Sequence, residues 1–194
     1  MKKLVSIILL LSLMPFSLLS QEEEHLKFKG VPIDGTLKEF TSKLVKTGLK
    51  EIGQENGQVM LFGDFAGFRD CMIYATTTPG KDLVYMVAAM LNPTDHWSAL
   101  QRDYEALNSM LKIKYGEPSE VIEEFQSFSK PKSDSEKILY LKTDRCNYQT
   151  IFDTKKGRIA VKLAHGDKDL CFVIIAYEDG INALRHSNAA IDDL

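Results

Sequence analysis

Thr94–Pro118, TDHWSALQRDYEALNSMLKIKYGEP, is the stretch on which the reading of the fold turns. Trp97, Leu100, Tyr104, Leu107 and Leu111 recur at steps of three and four, the spacing of one helical face. Gln101, Arg102, Asp103, Glu105, Asn108, Ser109 and Lys112 fill the other side. Thr94 or Asp95 is placed to cap the start. Gly116 suits the left-handed residue that closes a helix, and Pro118 forbids its continuation. About 20 residues at 1.5 Å each make a rod of roughly 30 Å. Such a rod needs a large apolar surface to lie on. Two runs offer one: Leu83–Leu91 (LVYMVAAML) and Leu170–Tyr177 (LCFVIIAY), apolar throughout and expected as strands buried on both faces.

Upstream of the helix, Leu26 and Phe28 mark a short strand, followed by a turn at Val31–Gly35. Thr36 and Glu39 stand at capping-box spacing and open a helix, Thr36 to Thr47, with Leu37, Phe40 and Leu44 on one face and Gly48 at its end. Val59–Phe65, Cys71–Thr77 and Leu83–Leu91 then form a three-stranded meander, separated by Ala66-Gly67 and Thr78–Lys81. Downstream, Val121–Phe125 reads as a strand. Ser127–Ser135 is a linker-like stretch, and 136–143 reads as either a helix or a strand. Cys146–Asp153, Arg158–His165 and Leu170–Tyr177 form a second meander. A last helix follows from Ile181 to about Asp192, with Leu184, Ala189 and Ile191 as inward positions. The expected fold is α+β: an antiparallel sheet of two meander halves with helices packed on one side, in a tandem repeat of strand, helix, three strands, helix. The halves are 21–116 and 117–194, joined by the long helix.

Tyr115-Gly116-Glu117-Pro118 is similar to the helix–Gly-x-Pro–strand corner of the beta-lactamase inhibitor protein and of the small lipoprotein of the outer-membrane assembly machinery. The tandem order of elements resembles the same architecture. Phe28-x-Gly30-Val31-Pro32-x-x-Gly35 and Gly63-x-Phe65-x-Gly67 resemble uncharacterised signal-peptide-bearing bacterial proteins. None of these likenesses carries over a binding residue or an activity.

Residues 1–20 have the layout of a signal peptide: Lys2-Lys3, an apolar run from Leu4 to Leu19, and a small residue before the polar Gln21–Glu24. Cleavage near Ser20–Gln21 predicts a periplasmic or secreted chain with no membrane span after it. Loss of Lys2 and Lys3 takes the formal charge from −3 to −5. A mildly acidic chain with no basic patch argues against nucleic acid as a partner.

Candidates for chemistry are few. A thiol nucleophile needs Cys71, Cys146 or Cys171 beside His25, His96, His165 or His186. Cys71 and Cys171 fall inside apolar strand runs, where a cysteine serves as a small hydrophobe. Zinc-ligand spacings are lacking, and no cofactor motif is present. Asp95-His96 fits a helix cap and an exposed first turn, and Asp64 and Asp70 fit solvated charges near a hairpin. In a simple meander, Cys146 and Cys171 sit two strands apart, about 9.5 Å, too far for a bridge. Pairing through Cys71 stays open. Phe125 and Phe128, beside the Ser/Lys stretch, are the candidate partner-binding residues, with packing on the sheet as the alternative. These features predict an exported non-enzymatic binding or accessory module, with another envelope or extracellular protein as partner. The alternative is an exported hydrolase whose site forms only in three dimensions.

Overall fold

The computed structural model describes residues 25–78, 80–126, 130–166 and 170–192; the expected signal segment, its cut at Ser20–Gln21 and Phe128 lie outside them. The elements run β1 (Lys27–Phe28), β2 (Val31–Pro32), α1 (Leu37–Val45), β3 (Lys50–Glu55), β4 (Gln58–Phe65), β5 (Phe68–Thr77), β6 (Val84–Met90), α2 (Trp97–Tyr115), β7 (Glu120–Phe125), α3 (Asp134–Lys142), β8 (Cys146–Thr154), β9 (Gly157–His165), β10 (Cys171–Asp179) and α4 (Gly180–Asp192). The fold is α+β.

Eight strands form one antiparallel sheet in the order β3-β4-β5-β6-β10-β9-β8-β7, and β1 and β2 pair separately. The two meanders meet at the centre, where β6 and β10 pair with Ala88 opposite Ala176. This layout corrects the expected repeat. The first half has four strands in the large sheet, because Lys50–Glu55 adds an edge strand. Its helix precedes the edge strand, whereas in the second half edge strand β7 precedes helix α3. The short strand around Leu26 and Phe28 belongs to the small hairpin instead. Both edges carry charged residues, and β3 has a bulge between Glu51 and Gly53, features that discourage pairing with another chain.

One face of the sheet carries the core. Val59 and Leu61, Ile73 and Ala75, Val87 and Ala89, Ile159 and Val161, and Val173 and Ile175 are all fully or almost fully buried there. Helix α1 packs over β3, β4 and β5, held at its start by the Thr36–Glu39 capping box. Helix α2 crosses to the other half and lies on β8, β9 and β10, with Trp97, Leu100, Tyr104, Leu107 and Leu111 all buried. Its cap differs from expectation. His96 occupies the N-cap position without a side-chain bond, Thr94 accepts from the His96 N–H, and Asp95 pairs with Lys142 of α3 at 3.1 Å.

Residues 134–142 are helical, opened by a second capping box between Ser133 and Glu136. The expected burial of both faces of β6 and β10 is corrected too: Met86 and Met90, and Phe172 and Ile174, are only half-buried. Their apolar character belongs to the sheet's second face. In α4, Leu184 is 67% exposed rather than inward, and Asn182 is the buried residue of the first turn. The side chains of Ala189 and Ile191 lie outside the described residues.

Candidate binding site

The β1–β2 hairpin turns through Lys29 and Gly30, both at positive φ (48° and 81°), as a two-residue hairpin requires. The alternation of the strand puts Phe28 into the core between Lys27 and Lys29. Its ring stacks on Phe65 at 4.8 Å and meets Tyr177 edge-on at 5.4 Å. Lys29 Nζ donates to the carbonyl of Asp64 at 2.7 Å, which ties the hairpin tip to the β4–β5 turn.

Beside this hairpin lies a hollow of about 310 Å³. Leu107, Met110, Leu111 and Lys114 form one wall, at positions that fall on a single face of α2. Ile175 and Tyr177, two residues apart on β10, form the floor. Lys27, Lys29, Gly30, Phe65 and Ala66 close the other side. The lining is apolar below and carries three lysines above, with no carboxylate. Among the described residues none of these lysines forms an ion pair; Lys114 sits 5.1 Å from the centre of the Tyr115 ring. Burial, with a smaller contribution from Tyr115, pushes the Tyr177 phenol well above its ordinary value, so it stays a neutral donor. Tyr177 is 7% exposed, and among the described residues its hydroxyl has no hydrogen-bond partner.

A buried polar node lies where β10 passes into α4. Asp179 is fully buried and accepts the N–H of Asn182 at 2.9 Å as the helix cap. It also accepts the N–H of Leu26 at 2.8 Å and faces His25 Nδ1 at 3.0 Å. The other ring nitrogen of His25 faces Asp34 at 3.6 Å. Asn182 donates to the carbonyls of Ile33 and Val84 and to Asp34. An imidazole between two carboxylates has a proton partner on each side and, among the described residues, no hydroxyl or thiol bonded to it, so the node fastens residues 25–34 to the junction of β10 and α4.

Of the other histidines, His165 is the Cα partner of Cys171 in the β9–β10 ladder and lines one hollow together with Cys146. His165 pairs with Asp144 at 3.1 Å, and the His186 ring stacks on Tyr85 at 4.4 Å. Cys71, Cys146 and Cys171 are free and buried. Burial raises the Cys71 thiol, and pushes Cys146 up to about 12 with help from Cys171. Thiols held in the protonated form are poor nucleophiles. Among the described residues no group of three His, Cys, Asp or Glu side chains is placed to hold a metal ion. No described helix is long and apolar enough to cross a membrane. Phe125 packs against Trp97, Tyr140 and Tyr148, with ring centres 5.5–6.1 Å apart.

Two other surfaces stand out. A hollow of about 600 Å³ between α1 and the β5–β6 turn has a mixed lining that includes Lys38, Lys81, Asp82 and three threonines. On the second face of the sheet, Phe62, Met72, Met90 and Ile174 stand side by side across four strands, with Met60 and Tyr74 in the next row. Sequence reasoning had Leu107 and Leu111 as core, but it missed the lysine-rimmed hollow. The signal available was Lys114, one turn beyond Leu111 on the same helical face. No protein-family model, no curated protein and no solved structure matches the chain.

Proposed function

We propose that this chain is an exported, non-enzymatic binding protein of the bacterial cell envelope that takes a small ligand in the hollow beside the β1–β2 hairpin. The observation that carries the reading is the lining of the hollow: apolar side chains of α2 and β10 beside three lysines that form no ion pair among the described residues, with Tyr177 on the floor. Apolar walls with a few convergent polar groups are the usual make-up of a small-molecule site. The signal-peptide layout of residues 1–20 supports the exported location. The architectural likeness to the beta-lactamase inhibitor protein belongs to the same proposal.

Native mass spectrometry of the full chain, purified from the envelope of its own cells, tests the reading. The expected result is a non-covalent adduct that is lost in Met110→Trp. Met110 lines the hollow and is 39% exposed, so the larger ring narrows the hollow without entering the core. Ligand-free protein in every preparation would remove the support for binding.

A further inference from the structure

The lining of the hollow also specifies a chemistry, on the condition that the binding reading holds. We propose that the ligand is a small amphiphilic carboxylate, an unbranched fatty-acid anion of medium length. Its head would lie among Lys27, Lys29 and Lys114, and its chain against Leu107, Leu111 and Ile175.

Charge selects the head. Acidic residues outnumber basic ones in the chain, 27 to 24, yet this hollow has three lysines and no carboxylate in its lining. An ammonium group without an ion-pair partner, next to a low-dielectric wall, attracts an anion more strongly than it would in open water. Lysine acts as a compact point charge rather than a planar fork, so the rim suits a small head with its charge concentrated on two oxygens. The Tyr177 hydroxyl adds a neutral donor to the same space.

Size and polarity select the body. At about 310 Å³ the hollow is near the lower limit of small-molecule sites, roughly 300–1,000 Å³. Below the rim, the lining residues from α2 and β10 are aliphatic apart from Tyr177. A straight chain can lie along the exposed Met110 and the edges of Leu107 and Leu111, which follow one another along α2. Each methylene taken from water into such a wall strengthens binding about fourfold.

Calorimetric titration of the full chain at fixed ionic strength provides the test, with decanoate, octanoate, decanol and inorganic phosphate as probes. Decanoate is expected to saturate one site. Octanoate is expected to bind about sixteenfold more weakly, decanol at least about tenfold more weakly, and phosphate not measurably. Lys27 and Lys114 are exposed, so Lys27→Gln/Lys114→Gln should keep the wild-type melting temperature while decanoate falls to the level of decanol. Tyr177→Phe should weaken decanoate several-fold without affecting decanol. Equal affinity for decanol and decanoate would overturn the proposal, as would phosphate binding as tightly as decanoate. Unchanged decanoate affinity in the double lysine variant would also overturn it, by placing the binding elsewhere. A neutral or cationic molecule that co-purifies and is displaced by Met110→Trp would sink the carboxylate assignment and leave the binding-protein reading standing.

Discussion

Asp179 holds the backbone N–H of Leu26 through its Oδ2 at 2.8 Å, across 153 positions of the chain. The same carboxylate caps α4 at Asn182 and faces the ring of His25. Asp179→Ala leaves two backbone donors without this acceptor, in a place water does not reach. The expected loss is about 3 kcal/mol, combining a cap with a charge-assisted bond. Urea unfolding measures it; a change below about 1 kcal/mol would mean that the segment around Leu26 is fastened to β10 in another way.

Asp34 gives the neighbouring node a pH dependence. Burial raises its carboxyl, but the Asn182 amide, the Gly35 N–H, His25 and Arg185 together bring it below the ordinary 3.8. With a depressed value in the folded state, the contribution to stability is complete above the unfolded value. It is lost as the pH falls through the folded one. The advantage of wild type over Asp34→Asn should therefore be constant from about pH 5 to 7 and should shrink below about pH 4. The side chain is 42% exposed, so the effect is modest and weakens with salt. An advantage that grew on acidification would contradict this arrangement.

Tyr104 of α2 and Thr150 of β8 share a buried hydroxyl–hydroxyl bond of 2.6 Å. Tyr104→Phe leaves the Thr150 hydroxyl alone and should cost about 1–2 kcal/mol. Replacing both, as Tyr104→Phe with Thr150→Val, should restore most of the loss. The cycle of four proteins measures the pair directly. Strict additivity of the two single losses would show that the bond contributes nothing.

Gly157 and Gly116 both have positive φ, at 144° and 88°. A Cβ on Gly157 would sit 2.1 Å from the Glu178 carbonyl oxygen and 2.7 Å from the Gly180 nitrogen, whereas one on Gly116 would meet nothing within 4 Å. Gly116→Ala should lose about 1 kcal/mol, from backbone strain alone. Gly157→Ala should lose about 3 kcal/mol, because its obstacles are backbone atoms of β10 and α4. Thermal melting of the two variants side by side compares them. Equal losses would place the β9 start further from β10 than described.

All three thiols are free and buried. A thiol-specific reagent should titrate three groups per chain under denaturing, non-reducing conditions, and react only slowly with the folded protein at neutral pH. A single group would reveal a bridge. Fast reaction of Cys146 in the folded state would conflict with its thiol being held near 12.

The core-facing stripe of helix α2 was legible, since all five of its residues are buried, whereas its cap was not. So was the Thr36–Glu39 box that opens α1, because the reciprocal bonds are local and depend only on spacing. The box at Ser133 and Glu136 was equally readable. It was passed over because Asp134–Lys142 has only a weak apolar face, with Ile138 and Leu141 buried and Leu139 exposed. Strand β3 was not legible: an edge strand of sequence KEIGQE has one neighbour and a largely exposed surface, so it lacks the alternation that marks inner strands. Leu83–Leu91 was misread for the opposite reason. An uncovered face that is itself apolar produces the same pattern as a covered one. The hollow draws on Lys27, Phe65, Leu107 and Tyr177, residues from four elements that meet only after the sheet has closed. Asp179 and His25, 154 positions apart, are likewise beyond any local pattern.

The central pairing of β6 with β10 sets an order of events during synthesis. Val84–Met90 lies between β5 and β10, yet β10 is the last of the described strands to be made. Until Cys171–Asp179 has emerged, the apolar strand β6 has one side without a partner, and α2 has no strand of β8, β9 or β10 to lie on. The nascent first half is therefore a sheet with a bare, sticky margin until β10 has been translated. Pairings this distant in sequence close slowly. The interval before they close, rather than the finished fold, is the period in which the protein is most exposed to aggregation.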